Sequence, residues 1–562
     1  METKIKAVEC KFAVHVPSKY DQSDLHLVKE VIHFEDGTTK PNVKLIENYK
    51  RDFWVTKKGF RNHKSKKERE HLDKLTKFSS TQVLLEENIL KALGEPWRIG
   101  KLRGGLREIC RSPYVYGTDI LTSCLIKKEY QDRYPNTFTP FSLAVFDVET
   151  DVLHGTNDIV MSTLSFKDRV FTAINESFVK AYTNVEERLQ RLLNQYLGDV
   201  VKERNIKWEV KICKTPAMCV VETFKKAHEW KPDWVAIWNQ DFDIPKCLEM
   251  LKKEGIEPET VFSDPKVPKK YQYFEYKTGA RQKVTASGKK SPIPVEQQWH
   301  TVITPASFYV IDAMCAYRLI RQGKGELPSY SLDYIMNKEI ERGKLKFEEA
   351  EGFTKIEWHI FMQKNHPLEY VIYNVFDCVG MEMLDEKTKD LQLRLPLMAE
   401  LSDFQNFKSQ PRRFCDSVHF QSMEMGYVMA TTSDRMGDEL DELTVSASDW
   451  IIALAAHPIE DNGLQVIEEF PELRTNIRGC NADIDATAAY PSGQCVFNAC
   501  NETTFREIVK IEDVSEYDKR MMGLNLSGGH TNSVLVASSL LGLPTMHQFF
   551  EKFTEDHKEL PY

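Results

Sequence analysis

The stretch Ser142-Leu-Ala-Val-Phe-Asp147-Val-Glu149-Thr150 constrains this chain more than any other. Its apolar run reads as a buried strand, and two carboxylates stand at its end at i and i+2. Side chains alternate along a strand, so Asp147 and Glu149 leave one face while Val148 turns toward the core. Two acids held side by side on a rigid strand end repel each other unless a cation sits between them. Hard oxygen ligands of this kind suit Mg²⁺ or Mn²⁺. The alternative is a solvated acidic turn closing an edge strand, and the text downstream decides between the two.

Around that strand the chain reads as an α/β region from about residue 126. Asp158-Ile-Val-Met-Ser-Thr-Leu-Ser-Phe166 and Arg169-Val-Phe-Thr-Ala-Ile-Asn175 look like two further strands, an antiparallel start. Leu189, Leu192, Leu193 and Tyr196 follow at i, i+3, i+4 and i+7, the stripe of an amphipathic helix. Trp234-Val-Ala-Ile-Trp238 is a short buried strand that runs into Asn239-Gln-Asp-Phe242-Asp243. Between about 265 and 305 the composition shifts to Lys, Gln, Ser, Gly and Pro, which predicts a long hairpin or an exposed insertion. Phe308-Tyr-Val-Ile-Asp312 returns as a strand, and Ser331 stands at a helix N-cap. Glu369-Tyr-Val-Ile-Tyr373-Asn-Val-Phe-Asp377 is helical in period, so Tyr373 and Asp377, four apart, share one face.

At 562 residues the chain holds about three or four domains. No apolar run approaches the roughly 18 residues that span a bilayer, and no signal-peptide pattern opens the chain. Twelve scattered cysteines, with no C-x-x-C pair, read as reduced thiols of a cytosolic protein. The formal charge of −9 argues against a wholesale basic coat, but not against a nucleic-acid partner met through local cations. One such segment lies in residues 1–125, where Lys57, Lys58, Arg61, Lys64, Lys66, Lys67 and Arg69 face a single acid, with Phe53, Trp54 and Phe60 nearby. Cations beside stackable rings make a phosphate-and-base surface. The same residues also suit the solvated face of a helix.

Taken together, the order is D-x-E on a strand, N-x-x-F-D after a strand and Y-x-x-x-D on a helix. This resembles the 3′→5′ exonuclease domain of the family B DNA polymerases, a DnaQ-like domain on an RNase H-like fold. Tyr330-Ser-Leu-Asp333-Tyr-Ile and Tyr373-Asn-Val-Phe-Asp377 resemble the equivalent segments of the T-even-type bacteriophage polymerases. The resemblance covers roughly residues 140–390 and is thinner elsewhere. It implies an α+β N-terminal domain over 1–125, a mixed-sheet exonuclease domain over 126–395, and part of a polymerase palm over 396–562. It also implies a bacteriophage protein acting in the host cytoplasm, among other replisome proteins and with no membrane partner. Many family members place three residues between the Asn and the Phe-Asp, where this chain has two.

Four acids, Asp147, Glu149, Asp243 and Asp377, could hold two divalent ions about 3.5–4 Å apart, one to activate a water and one to stabilise the leaving 3′ oxygen. The resemblance implies that Tyr373 orients the attacking water. Asn239 and Phe242 would seat a single-stranded or frayed 3′ end of DNA by polar contact and stacking.

Beyond residue 395, Gln410-Pro-Arg412-Arg413-Phe-Cys-Asp416 resembles the entry to the polymerase body, and Asp483-Ile-Asp485-Ala-Thr-Ala-Ala-Tyr490-Pro491-Ser492 resembles a palm motif. There the family's Asp binds the catalytic metals and its Tyr reads the incoming nucleotide, roles that would fall to Asp485 and Tyr490. The motif's Ser-Leu pair is Ala488-Ala489 here. No K-x-x-x-N-S-x-Y-G fingers motif and no D-T-D palm motif occur. Gly529-His530-Thr531-Asn532 has no acids to offer in their place. Three readings follow. The first is an N-terminal polymerase component completed by a second polypeptide that carries the remaining palm, fingers and thumb. The second is a free-standing exonuclease, and the third a replisome scaffold without chemistry. Retention of all four acids counts against the third.

Nucleotidyl transfer needs acids from two palm strands, and one is recognisable. The 562-residue chain, made exonuclease-null at Asp147, is therefore expected to extend no primer by itself. A second polypeptide bearing the absent motifs should restore synthesis, which Asp485→Ala should then remove. Robust extension by the chain alone would place a divergent carboxylate site in the last 75 or so residues.

Overall fold

A mixed six-stranded sheet forms the centre of the structure, and its strand order explains where the acids end up. Across the sheet run Lys207–Cys213, Arg169–Asn175, Ile159–Phe166, Leu143–Thr150, Trp234–Ile237 and Tyr309–Asp312. Leu143–Thr150, Ile159–Phe166 and Arg169–Asn175 form an antiparallel meander. Trp234–Ile237 and Tyr309–Asp312 join parallel on one side and Lys207–Cys213 on the other. The computed structural model describes residues 4–435 except 65, 285–289, 326 and 405–409. The expected palm segment, with Asp485 and Tyr490, lies outside the described residues.

Ile159–Phe166 is buried along its whole length, as a strand covered on both faces must be. On one face Ala144, Phe146 and Val148 pack with Val220 and Phe224 of helix Pro216–Trp230 and with Ile244 and Leu251 of helix Gln240–Lys253. On the other, Leu143, Val145 and Met161 meet Leu189 and Leu193 of helix Val185–Arg204 and Val375 and Val379 of helix Pro367–Thr388. Asp147 and Glu149 belong to this second face by the alternation of the strand. Helix Leu332–Ile340 closes over helix Pro367–Thr388 at Gly380, where a Cβ would come within 2.4 Å of the Met336 methyl. That close approach holds Asp377, less than one turn away, at a fixed depth over the sheet.

Several expectations take definite form. The amphipathic stripe is the helix Val185–Arg204. Ser331 caps helix Leu332–Ile340 by accepting from the Tyr334 N–H. The 265–305 segment contains two short antiparallel ladders, Glu275–Lys277 with Thr301–Ile303 and Gln282–Val284 with Lys290–Pro292. Among the described residues, no helix is long and apolar enough to cross a membrane.

Ahead of this sheet, Ile5–Pro17, Asp24–Phe34 and Thr39–Glu47 form a three-stranded antiparallel sheet, and Phe12, Val14, Leu25 and Leu27 join the same core as Val145. The chain through Asp434 is one compact unit. Its halves are also joined by a buried cation. Lys29 donates to the Lys231, Pro232 and Ser307 carbonyls at 2.6, 3.0 and 2.7 Å, and its ammonium lies 3.7 Å from Asp233. Burial pushes the Lys29 pKa down to about 8, against the pull of Asp233. Asp233 in turn accepts from the Ser142 N–H and hydroxyl, both at 2.8 Å, at the start of the acid-bearing strand. Lys29→Met should leave three buried carbonyls without their donor and Asp233 without its counter-charge, and cost about 3 kcal/mol in urea denaturation. A loss under about 1 kcal/mol would show that water replaces the ammonium there.

Candidate metal centre

Asp147 and Glu149 leave the strand Leu143–Thr150 opposite Thr163 and Met161, while Val148 between them is buried in the core. Facing them, helix Pro367–Thr388 presents Tyr370, Tyr373, Asn374 and Asp377 at i, i+3, i+4 and i+7. These four form a polar stripe on the buried, largely apolar middle of the helix. Asn374 Nδ2 donates to Asp147 Oδ2 at 2.7 Å, and the Tyr370 hydroxyl donates to Glu149 Oε2. His359 Nδ1 lies 2.7 Å from that hydroxyl. With the phenolic proton given to Glu149, Nδ1 must carry the hydrogen. Oxygens of Asp147, Glu149 and Asp377 lie within 4.8 Å of one another.

Asp243 completes the acidic set from another direction. Asn239, two residues past the strand Trp234–Ile237, stands at the N-cap position of helix Gln240–Lys253, whose first turn carries Phe242 outward and Asp243 inward. Asp243 is 1% exposed, and its Oδ2 has no hydrogen-bond partner. It lies outside the cluster of three, yet the charges of Asp147 and Glu149 add to its burial in holding its pKa well above the carboxylate range.

One cation belongs to the protein itself. Lys344 Nζ donates to Asp377 Oδ2 at 2.5 Å and to the Tyr373 hydroxyl at 2.9 Å. Asp333 holds the lysine's loop by accepting from the Lys344 backbone N–H at 2.7 Å. A single ammonium among four acids leaves negative charge in a poorly solvated site. Burial, then the neighbouring Asp377, pushes Asp147 up to about 7, while burial and Asp147 push Glu149 up to about 8. Burial also raises Asp377, although Lys344 opposes it. Burial alone would lower the Lys344 pKa, yet Asp377, Tyr373 and Asp147 hold it well above the usual value. Burial and Lys344 bring His359 down to about 4, so it is neutral near pH 7.

These residues suit a divalent cation. The donors are hard carboxylate oxygens, and Asp243 Oδ2 and Asp377 Oδ1 are buried without partners. No protein-family model matches the chain, and no curated protein matches it.

Asp147, Glu149 and Asp377 are thus brought together, with Asp243 buried beside them and Tyr373 reaching the same group through Lys344. Asn239 and Phe242 are both exposed at the start of Asp243's helix. Tyr370, Asn374, His359 and Lys344 were not singled out in the sequence. The i, i+3, i+4, i+7 stripe would have pointed to Tyr370 and Asn374. Nothing local marks Lys344, which arrives from a loop.

The basic segment is not a helix face, and several of its cations are engaged by the fold. After a short turn at Lys58–Phe60, the chain runs irregularly into strand Arg69–His71. Lys57 donates to the Asp73 carbonyl at 2.6 Å and Lys67 to Glu70 at 2.6 Å. Arg61 donates to the Thr56 carbonyl at 2.8 Å and Lys66 to the Thr431 carbonyl at 2.7 Å. Lys58 and Lys64 remain exposed.

Asp147 and Glu149 keep their protons to about pH 7 and 8 in the folded chain, whereas unfolded acids ionise near pH 4. Between about pH 4 and 8 the folded state therefore binds more protons, and stability falls as pH rises. In chelator, Tm should drop across this window, less steeply in Asp147→Asn/Glu149→Gln. Magnesium or manganese should raise Tm by several degrees, more at pH 8 than at pH 5, because binding requires ionised carboxylates. Identical slopes for wild type and variant would remove these two acids from the titration.

Proposed function

We propose that this chain is a metal-dependent 3′→5′ exonuclease acting on single-stranded or frayed DNA ends. The observation that carries the reading is the convergence of Asp147, Glu149 and Asp377 from a strand end and a facing helix, with the buried Asp243, whose Oδ2 has no hydrogen-bond partner, beside them. These four residues would hold the divalent cations, Mg²⁺ or Mn²⁺. When bound, such ions activate water and neutralise charge on a phosphodiester and its leaving oxygen.

The remaining residues have roles in keeping with this chemistry. Asn374 and Tyr370 orient the two strand-borne carboxylates by hydrogen bonds, leaving their other oxygens to act as ligands. Lys344 fixes Asp377 and sets the hydroxyl of Tyr373 at the edge of the cluster, where it can hold a water by hydrogen bond. Phe242, 44% exposed, offers a face for the terminal base beside Asp243. The mixed sheet with helices on both faces is compatible with the RNase H-like, DnaQ-like fold that the motifs imply.

In the wider reading the chain is the proofreading component of a split or truncated bacteriophage family B DNA polymerase, working in the host cytoplasm. A second polypeptide would supply the rest of the polymerase, and other replisome proteins would be its neighbours. This part rests on the motif resemblance. The exonuclease reading rests also on the site.

Asp147→Ala/Glu149→Ala should reduce metal-dependent release of nucleotides from single-stranded DNA by about a thousandfold or more, with the fold retained. Tyr373→Phe should slow turnover by tens-fold and leave DNA affinity, measured by anisotropy in Ca²⁺, nearly unchanged. Wild-type rates in the double variant would end the assignment of the site.

A further inference from the structure

The central sheet ends on the strand Lys207–Cys213, and among the described residues no strand pairs with its outer edge. It joins Arg169–Asn175 parallel and without a bulge. The Lys207 N–H donates to the Asp168 carbonyl at 2.7 Å, which turns the backbone groups of Lys207 toward that neighbour, and by alternation those of Glu209 and Lys211. Trp208, Val210 and Ile212 therefore aim their N–H and C=O groups outward, where a further strand would meet them. Other edges are guarded. Tyr309–Asp312, at the far side of the same sheet, is four residues long and buried. Thr39–Glu47, at an edge of the N-terminal sheet, carries Pro41. Lys207–Cys213 has no proline, and its side chains from Lys207 to Ile212 are exposed or half-buried.

Charge is another common guard of an open edge, but the signs here are self-complementary. Lys207, Glu209 and Lys211 share the face of helix Pro216–Trp230, where Glu209 meets Lys226 at 2.8 Å and Lys211 meets Glu222 at 2.6 Å. Trp208 and Val210 pack against the core of the opposite face, and Ile212 is 37% exposed. A second copy of the strand, laid antiparallel with Val210 opposite Val210, sets each Glu209 opposite a Lys211 and each Trp208 opposite an Ile212. Opposite charges and apolar pairs at facing positions both stabilise a ladder. Sliding one copy by two residues brings Glu209 against its own counterpart in one direction and Lys211 against its own in the other. Charge thus selects a single register.

We infer that Lys207–Cys213 is the contact of a symmetric homodimer, in which two copies pair antiparallel about Val210 and continue the sheet across a two-fold axis. Each residue then meets its partner reciprocally, as a two-fold interface requires. The strand lies at the edge of the sheet, away from the acids on Leu143–Thr150, so the dimer leaves the candidate metal centre uncovered.

Sedimentation equilibrium of the 562-residue chain over about 1–100 μM, the range suited to a small interface, should show a concentration-dependent dimer. Val210→Pro removes an N–H that points outward and has no ladder bond to lose, so Tm should scarcely move while the dimer disappears. Glu209→Lys alone and Lys211→Glu alone set like charges opposite each other, and each should weaken association about tenfold or more. An equimolar mixture of those two variants should associate as the wild type does, because every lysine again faces a glutamate. A wild type that stays monomeric across the range overturns the inference. So does a dimer that survives Val210→Pro, or a mixture no more associated than its components. If Val210→Pro fails to fold, the mixture decides alone.

Discussion

Four carboxylates and one ammonium share a small, poorly solvated volume, and the chemistry ascribed to this chain depends on the charge left over. Asp147, Glu149, Asp243 and Asp377 would repel one another strongly if all were ionised, and Lys344 can neutralise only one of them. The protein meets the excess by raising carboxylate pKa values, so that Asp147 and Glu149 reach about 7 and 8. A bound divalent ion would relieve the same excess while allowing the acids to ionise. Protonation and metal binding are thus alternatives at one site, and pH should govern which prevails.

Holding like charges together requires a rigid frame. The strand-borne acids are fixed by alternation on a strand whose neighbours pair on both sides. Asp377 is fixed by a helix that packs between the sheet and a second helix, with Gly380 allowing the close approach. Hydrogen bonds then aim the ligands, from Asn374 to Asp147 and from Tyr370 to Glu149. Lys29 works at the opposite end of the same strand, where Asp233 ties the buried ammonium to Ser142. Both cations use carbonyl or carboxylate partners drawn from distant parts of the sequence, so each binds the fold together as well as balancing charge.

The strands and the main helices were legible because burial imposes a period on sequence. Apolar runs and i, i+3, i+4, i+7 stripes follow directly from what must face the core. The basic segment was legible only as composition. Its cations satisfy carbonyls as far away as Thr431, and nothing between Lys57 and Arg69 announces such partners. Lys344 was missed for the same reason, since its partners Tyr373 and Asp377 lie about thirty residues further on.

The sequence by itself determined the acids: their types, their places at a strand end, a helix start and a helix face, and the presence of a tyrosine four residues before the last of them. Local geometry sets those relations, and local geometry is written in neighbouring residues. Only the tertiary structure decided that three of the acids meet within 4.8 Å, that Asp243 stands apart with a bare oxygen, and that a lysine shares the site. Those outcomes depend on how a sheet, two helices and a loop pack against each other. Packing brings together residues whose separation along the chain carries no signal of their separation in space.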